Sequence, residues 1–299
     1  MFKNVIMYRI AAGWSLTAQE AETRLQDNHF VECGASQEKS VGWIEPRGEV
    51  HGPLLEVVAG QWILKQMLET RALPASVVNR KAQERVAQIE ASTGRKPGKK
   101  ETRDLKDDIR LELLPMAFTK QSSTLVWIDR EAQWLVLDAA SQARADELVT
   151  LLVQSLPGLA VSLVNTQLSP SAAMADWLVS MEAPPGFSVD RECELKAADE
   201  SKAVVRYARH RLDTDEVKQH IEGGKMPTRL ALTWNDRVSF VLTEGLQLKK
   251  LAFMEVVFEG ASQGKDDGFD ADVAIATGEL LKALPALLEA LGGEMPATP

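Results

Sequence analysis

The interval from Pro74 to Pro115 constrains the fold more than any other stretch of this chain. Val77, Val78, Ala82, Val86 and Ile89 recur at helical spacing with charges between them, and Ser92-Thr93-Gly94 with Pro97-Gly98 interrupts the pattern. From about Lys100 a second run places Leu105, Ile109, Leu111 and Leu113 among charges until Pro115 stops it. Two helices joined by a Gly/Pro turn make a helical hairpin. Its apolar stripe is narrow, so the hairpin is expected to protrude and to stand largely in solvent.

The flanking segments read as strands with a few covering helices. Val5–Ile10 is a strand, and Thr17 followed by Glu20 forms a capping box that opens a helix running to about Asp27. Short apolar runs at Val41–Ile44, Leu54–Val58 and Gln61–Leu64 predict further strands. After the hairpin come strands at Thr124–Asp129 and Trp134–Asp138, a helix from Ser141 to about Leu156 and a strand at Ala160–Asn165. Ser169-Pro170 starts the next helix with a cap and a first-turn proline. Strands are then predicted at Phe187–Leu195, Ala203–Leu212, Arg229–Trp234, Val238–Thr243 and Leu248–Phe253, with a helix from Asp213 to Gly223-Gly224. The chain closes with an apolar helix from Asp272 to Leu291. The expected class is α+β, with mixed antiparallel sheets, covering helices and the hairpin. Residues 1–168 are expected to form one domain, with the finger at 74–119, and residues 169–299 a second.

Charge is unevenly distributed. The 299 residues carry a formal net charge of −9, yet 14 basic and 9 acidic side chains lie between Lys65 and Arg130, a local excess of +5. From Glu255 onward the balance is 9 acidic to 2 basic. A basic face can bind polyanions whatever the total. No charged head precedes a continuous apolar run near Met1, and Leu280–Leu291 is too interrupted to span a bilayer, so a soluble, cytosolic protein is expected. Cys33 and Cys193 form no metal-binding or disulfide pattern, and His29, His51, His210 and His220 lack metal-ligand spacing, so neither a metal nor another cofactor is expected.

Several stretches resemble catalytic patterns. Gly34-Ala35-Ser36-Gln37-Glu38-Lys39-Ser40 resembles a phosphate-binding loop, but Glu38 replaces the second glycine and would repel phosphate. Asp190, Glu194 and Lys196 alternate on one predicted strand, as a metal-dependent nuclease could use them. The outer face of any half-exposed strand gives the same pattern. Asp266, Asp267, Asp270 and Asp272 suit a helix start better than a cation site. The basic groups remain: Arg80, Lys81, Arg85, Arg95, Lys96, Lys99, Lys100, Arg103 and Lys106 on the hairpin, Lys120 beyond it, and Lys202, Arg206, Arg209, His210 and Arg211 on a predicted strand whose alternation puts Arg209 and Arg211 on one face. Phe118 can be read as a wedge at the end of a basic element or as a core anchor after Pro115, and its residue type and position favour the core.

A set of short motifs runs in order along the chain: Met1-Phe2-Lys3-Asn4 with Tyr8-Arg9, Gly42-Trp43, Leu113-Leu114-Pro115-x-Ala117-Phe118 and Trp127-Ile128-Asp129. Further along stand Ala183-Pro-Pro-Gly-Phe187, His220-Ile-Glu-Gly-Gly-Lys225, Leu230-Ala-Leu-Thr-Trp234, Phe269-Asp-Ala-Asp272 and Thr277-Gly-Glu-Leu280. Together these ordered motifs resemble the RdgC family of bacterial recombination-associated proteins. The resemblance implies a non-enzymatic, nucleoid-associated protein that forms a ring-shaped homodimer. Duplex DNA would pass through its basic hole without sequence preference, limiting access of the RecA recombinase. It also implies that Phe118, Lys120 and Gln121 face DNA at the end of the finger and that Arg209 and His210 contact DNA from the basic strand. Met116 and Gln121 depart from the family pattern, which has a basic residue and an aromatic at such places. Two other classes stand beside this reading: the nuclease of Asp190, Glu194 and Lys196, and an interaction scaffold built on the C-terminal helix.

Overall fold

The structure is a computed structural model that describes residues 1–259 and 268–296. The first part of the chain runs β1 (Ile6–Ile10), α1 (Ala18–Gln26), β2 (Lys39–Ile44), β3 (Leu55–Val58), β4 (Gln61–Ala72), α2 (Ala75–Thr93), α3 (Lys99–Leu113), β5 (Phe118–Asp129), β6 (Trp134–Leu137), α4 (Gln142–Ser155) and β7 (Val161–Leu163). The remainder runs α5 (Pro170–Ser180), β8 (Phe187–Ala197), β9 (Val204–Ala208), α6 (Asp215–Glu222), β10 (Lys225–Trp234), β11 (Val238–Thr243), β12 (Leu248–Phe253) and α7 (Gly268–Ala290). The class is α+β, and the strand pairs within both sheets are antiparallel.

The first sheet has the order β2-β4-β5-β6-β1-β7, with β3 sharing the outer edge of β4. It is covered on both faces, which explains why its central strands read as apolar runs. Alternation sends Ile6, Tyr8, Leu64, Val126, Ile128 and Leu135 toward the core that includes Ala21 and Leu25 of α1 and Leu148 and Leu152 of α4. Met7, Ile63, Trp127 and Val136 point the other way. There they join a core with Leu280, Leu284 and Leu287 of α7, Met174 and Trp177 of α5, and Leu230, Leu232 and Phe240 of the second sheet. Each fully buried side chain of this size contributes roughly 1.5–3 kcal/mol.

The second sheet has the order β12-β11-β10-β8-β9. A short stitch joins it to the first: Val5 N donates to Leu248 O at 2.8 Å, and Leu248 N donates to Val5 O at 3.0 Å. Helix α7 spans the same junction. Arg237, in the turn before β11, grips Glu279 with two hydrogen bonds of 2.7 and 2.8 Å, while Arg47 reaches Asp270 at 2.5 Å and Arg9 reaches Glu294 at 2.7 Å. Hydrogen bonding to Arg237 holds the Glu279 carboxyl below its ordinary range.

Local chemistry accounts for much of this arrangement. The capping box at α1 forms as expected, with Glu20 N donating to Thr17 Oγ1 and Glu20 Oε2 accepting from Thr17 N. Gly42 is required by a close approach: a Cβ there would lie 2.5 Å from the Phe30 Cα, because residues 28–30 bond alongside Trp43. The phosphate-loop look-alike runs directly into β2, with no helix after it to receive an anion.

Candidate nucleic-acid interface

The helical hairpin forms, with α2 and α3 joined through Gly94, whose φ of +66° ends α2. It has a small core of its own, formed by Val78, Ala82, Ile109 and Leu113 and separate from the two main cores. Leu111, expected in that stripe, faces solvent instead, because it lies two positions from Ile109 and so on another side of α3.

The hairpin grows out of a ribbon longer than its sequence suggests. β4 runs to Ala72 rather than stopping at Leu64, and β5 begins at Phe118 rather than Thr124, pairing Phe118 with Ala72, Lys120 with Thr70 and Gln121 with Glu69. β6 covers only Val126–Asp129 of β5, so Phe118–Ser123 are all exposed. Phe118, Lys120 and Gln121 therefore lie at the root of the finger, while its far end is the Gly94–Gly98 turn. Phe118 is not a core anchor: it is 87% exposed, beside Met116 at 70%.

Arg71 fixes this root. Its guanidinium donates to the carbonyls of Leu114 and Ala117 at 3.2 and 3.4 Å and to those of Cys33 and Gly34 at 3.1 and 3.2 Å. One side chain thus ties the end of the hairpin to β4 and to the loop before β2. Nothing in its sequence setting marks it out, since its acceptors are backbone oxygens far along the chain.

The cations of the finger fall into two groups. Arg85 pairs with Glu112 at 2.9 Å, Arg95 with Glu101 at 3.1 Å and Arg110 with Asp107 at 3.4 Å, while Arg80 lies 4.0 Å from Glu84. Lys81, Lys96, Lys99, Lys100, Arg103, Lys106 and Lys120 form no ion pair among the described residues. Exposed pairs of this kind hold little energy, so even the paired arginines are available to a stronger anion.

The second basic group differs from expectation. β9 ends at Ala208, so Arg209, His210 and Arg211 lie in a loop and the face-sharing argument for Arg209 and Arg211 does not apply. The chain leaves the strand because Arg209 adopts a φ of +56° and His210 N donates to Arg191 O at 3.1 Å. Arg211 is held by Asp213 at 2.6 Å, and Arg206, still on β9, by Glu194 at 2.6 Å. Arg209 shares a surface cavity of about 290 Å³ with Arg191, Glu192 and Lys250, the last two paired at 2.6 Å. Only the folded sheet brings Arg191 and Lys250 into one cavity with Arg209, so no spacing in the sequence marks them.

The nuclease trio is divided. Asp190 accepts from Thr233 Oγ1 at 2.8 Å, whereas Glu194 is occupied by Arg206 and by Thr228 Oγ1 at 2.8 Å. The bond from Arg206 is the main reason that the Glu194 carboxyl sits below its ordinary range. Asp190 and Glu194 line different cavities, and among the described residues no three His, Cys, Asp or Glu side chains gather as a metal-binding group. Cys33 and Cys193 are buried and free, with burial pushing the Cys193 thiol up to about 12. Asp270 lies in the first turn of α7 against Arg47, and Asp266 and Asp267 lie outside the described residues. Among the described residues no helix is long and apolar enough to cross a membrane.

The fold and its surface define an α+β protein of two antiparallel sheets that carries a cationic helical finger. The family described as "Putative exonuclease, RdgC" matches residues 1–294, nearly the whole chain. The chain belongs to the RdgC family. It is 44% identical over 300 residues to the "Recombination-associated protein RdgC" of Dechloromonas aromatica (strain RCB), covering 98% of each chain. It is 45% identical over 299 residues to the protein so named in Cupriavidus pinatubonensis, covering 99% of each, and 43% identical over 296 residues to that of Bordetella pertussis, covering 98% of each.

Proposed function

We propose that this protein binds duplex DNA without sequence preference, as a ring-shaped homodimer, and thereby limits RecA-dependent recombination on the nucleoid. The observation that carries the reading is the exposed finger, whose lysines and Arg103 lack ion-pair partners among the described residues, in a chain of net charge −9. Unpaired cations on a protruding element displace counterions from phosphates, which gives affinity without base contacts. A ring accommodates the acidic total, because the lining can be basic while the outside is acidic. The recombination-associated names of the relatives support the same process for this chain. Arg80, Lys81, Lys120, Arg206, Arg209, His210 and Arg211 face phosphate together with the finger cations Lys99, Lys100, Arg103 and Lys106, and exposed Phe118 with Gln121 lies against the duplex from the root of the finger. The protein acts by occupancy and uses no cofactor.

Titration of two unrelated duplexes at several salt concentrations tests this. Equal affinities that fall linearly on logarithmic axes support it, whereas binding that ignores salt overturns it. Light scattering that gives a monomer across micromolar concentrations removes the ring, and unchanged strand exchange by RecA removes the regulatory role.

A second reading, a metal-dependent nuclease, is favoured by the exonuclease wording of the family description and by Glu194 and Lys196 lying side by side in one cavity. Linear and supercoiled DNA with Mg²⁺ or Mn²⁺ decides it: cleavage that disappears in Glu194→Ala establishes the nuclease.

A further inference from the structure

The outward face of the second sheet holds a further concentration of cations, next to Arg206 of β9. Glu194 and Lys196 of β8, Thr228 and Arg229 of β10, Thr243 of β11, and Glu244, Gly245, Gln247 and Lys249 of the next turn and strand line a surface cavity of about 300 Å³. Register creates the cluster: Arg229 stands opposite Glu194 on one side and Thr243 on the other, and Lys249 stands opposite Val241 one strand further on. The carboxylate of Glu194 is already engaged by Arg206 and Thr228. Lys196, Arg229 and Lys249 form no ion pair among the described residues, and the remaining carboxylate, Glu244, is exposed in the turn. At Gly245 nothing lies within 4 Å of where a Cβ would stand, so the wall is open to a bulky ligand.

We propose that this cavity is a phosphate-binding site for the DNA backbone, with Lys196, Arg229 and Lys249 as its cationic contacts and Glu194 as the group that positions Arg206 beside them. The proposal rests on the DNA-binding reading and extends it to Arg229 and Lys249, which the sequence did not single out, and to Lys196 in a role other than catalysis. Charge complementarity selects the ligand: three cations that are unpaired among the described residues, on three strands of one sheet, match a chain of phosphates, and a rigid sheet keeps their spacing fixed. On this account Glu194 serves an arginine and holds no metal.

The test compares the salt dependence of duplex binding by the full chain and its variants. Arg229→Ala/Lys249→Ala is expected to lower the slope of log affinity against log salt by about two, and adding Lys196→Ala by about one more. Arg24→Ala, on α1 at the far face of the first sheet, keeps the wild-type slope, and Arg229→Lys/Lys249→Arg restores it because charge is conserved. Circular dichroism verifies folding, and if the alanine variant is unstable, Arg229→Gln/Lys249→Gln carries the same comparison. A wild-type slope in a folded double variant overturns the site while leaving the finger in place. Wild-type protein that binds no duplex at any salt overturns both readings.

Discussion

In the finger, helices of 19 and 15 residues rest on four buried side chains, Val78, Ala82, Ile109 and Leu113. The second sheet instead stands on a core shared with α5, α7 and the first sheet, so each outward side chain is held by a strand buried on its other face. The finger presents many cations on a lightly anchored element, and the sheet presents fewer at fixed spacing. Reach and geometric definition are thus divided between two regions of one molecule. The finger suits capture at a distance, and the sheet suits a defined seat for a backbone already captured.

Cavity variants separate the two regions most sharply. Leu232→Ala should cost about 2–5 kcal/mol of global stability, read from urea unfolding. Ile109→Ala deletes a similar volume but should mainly abolish hydrogen-exchange protection across residues 75–113, with a much smaller global loss. Equal global losses would mean that the finger is no separate unit. Gly42→Ala comes next, at about 1–3 kcal/mol, because the added methyl meets the backbone of Phe30 and one strand must move. Its effect should spread through the first sheet and spare the finger.

Charge variants sharpen the comparison further. Replacing Lys99, Lys100, Arg103 and Lys106 by alanine should reduce the salt slope of duplex binding by up to about four. Arg206→Ala should reduce it by about one, because a single cation is lost and its exposed pair with Glu194 yields to phosphate. The smallest expected effect is at acid pH. Glu279 has a folded pKa below its ordinary value, so its contribution is complete above about pH 4.3 and disappears as pH falls through the depressed value. The gap in melting temperature between wild type and Glu279→Gln should therefore narrow from pH 6 to pH 3.

The hairpin, the first capping box and most strands were legible because their signals are local: spacing, caps and breakers. The ribbon was not. Lys65, Gln66, Glu69 and Arg71 interrupt β4, and Phe118–Ser123 carry little apolar pattern, so pairing between β4 and its neighbours, rather than propensity, makes these residues strands. Alternation also overran the end of β9, because the hydrogen bond from His210 to Arg191 and the positive φ of Arg209 leave no trace in residue type. The finger cations could be read directly as a charge run. The grouping of Lys196, Arg229 and Lys249 could not, since strand register alone assembles it.

The stitch between Val5 and Leu248, with α7 across the same junction, also bears on the order of synthesis. Val5, Met7 and Ile63 leave the ribosome long before the leucines of α7 that share their core. One face of the first sheet must therefore wait, incompletely covered and adhesive, until α7 has emerged. Contacts so distant in sequence make folding slow. During that interval the nascent chain should depend on a holding chaperone, and a ribosome stalled before α7 should leave an aggregating product.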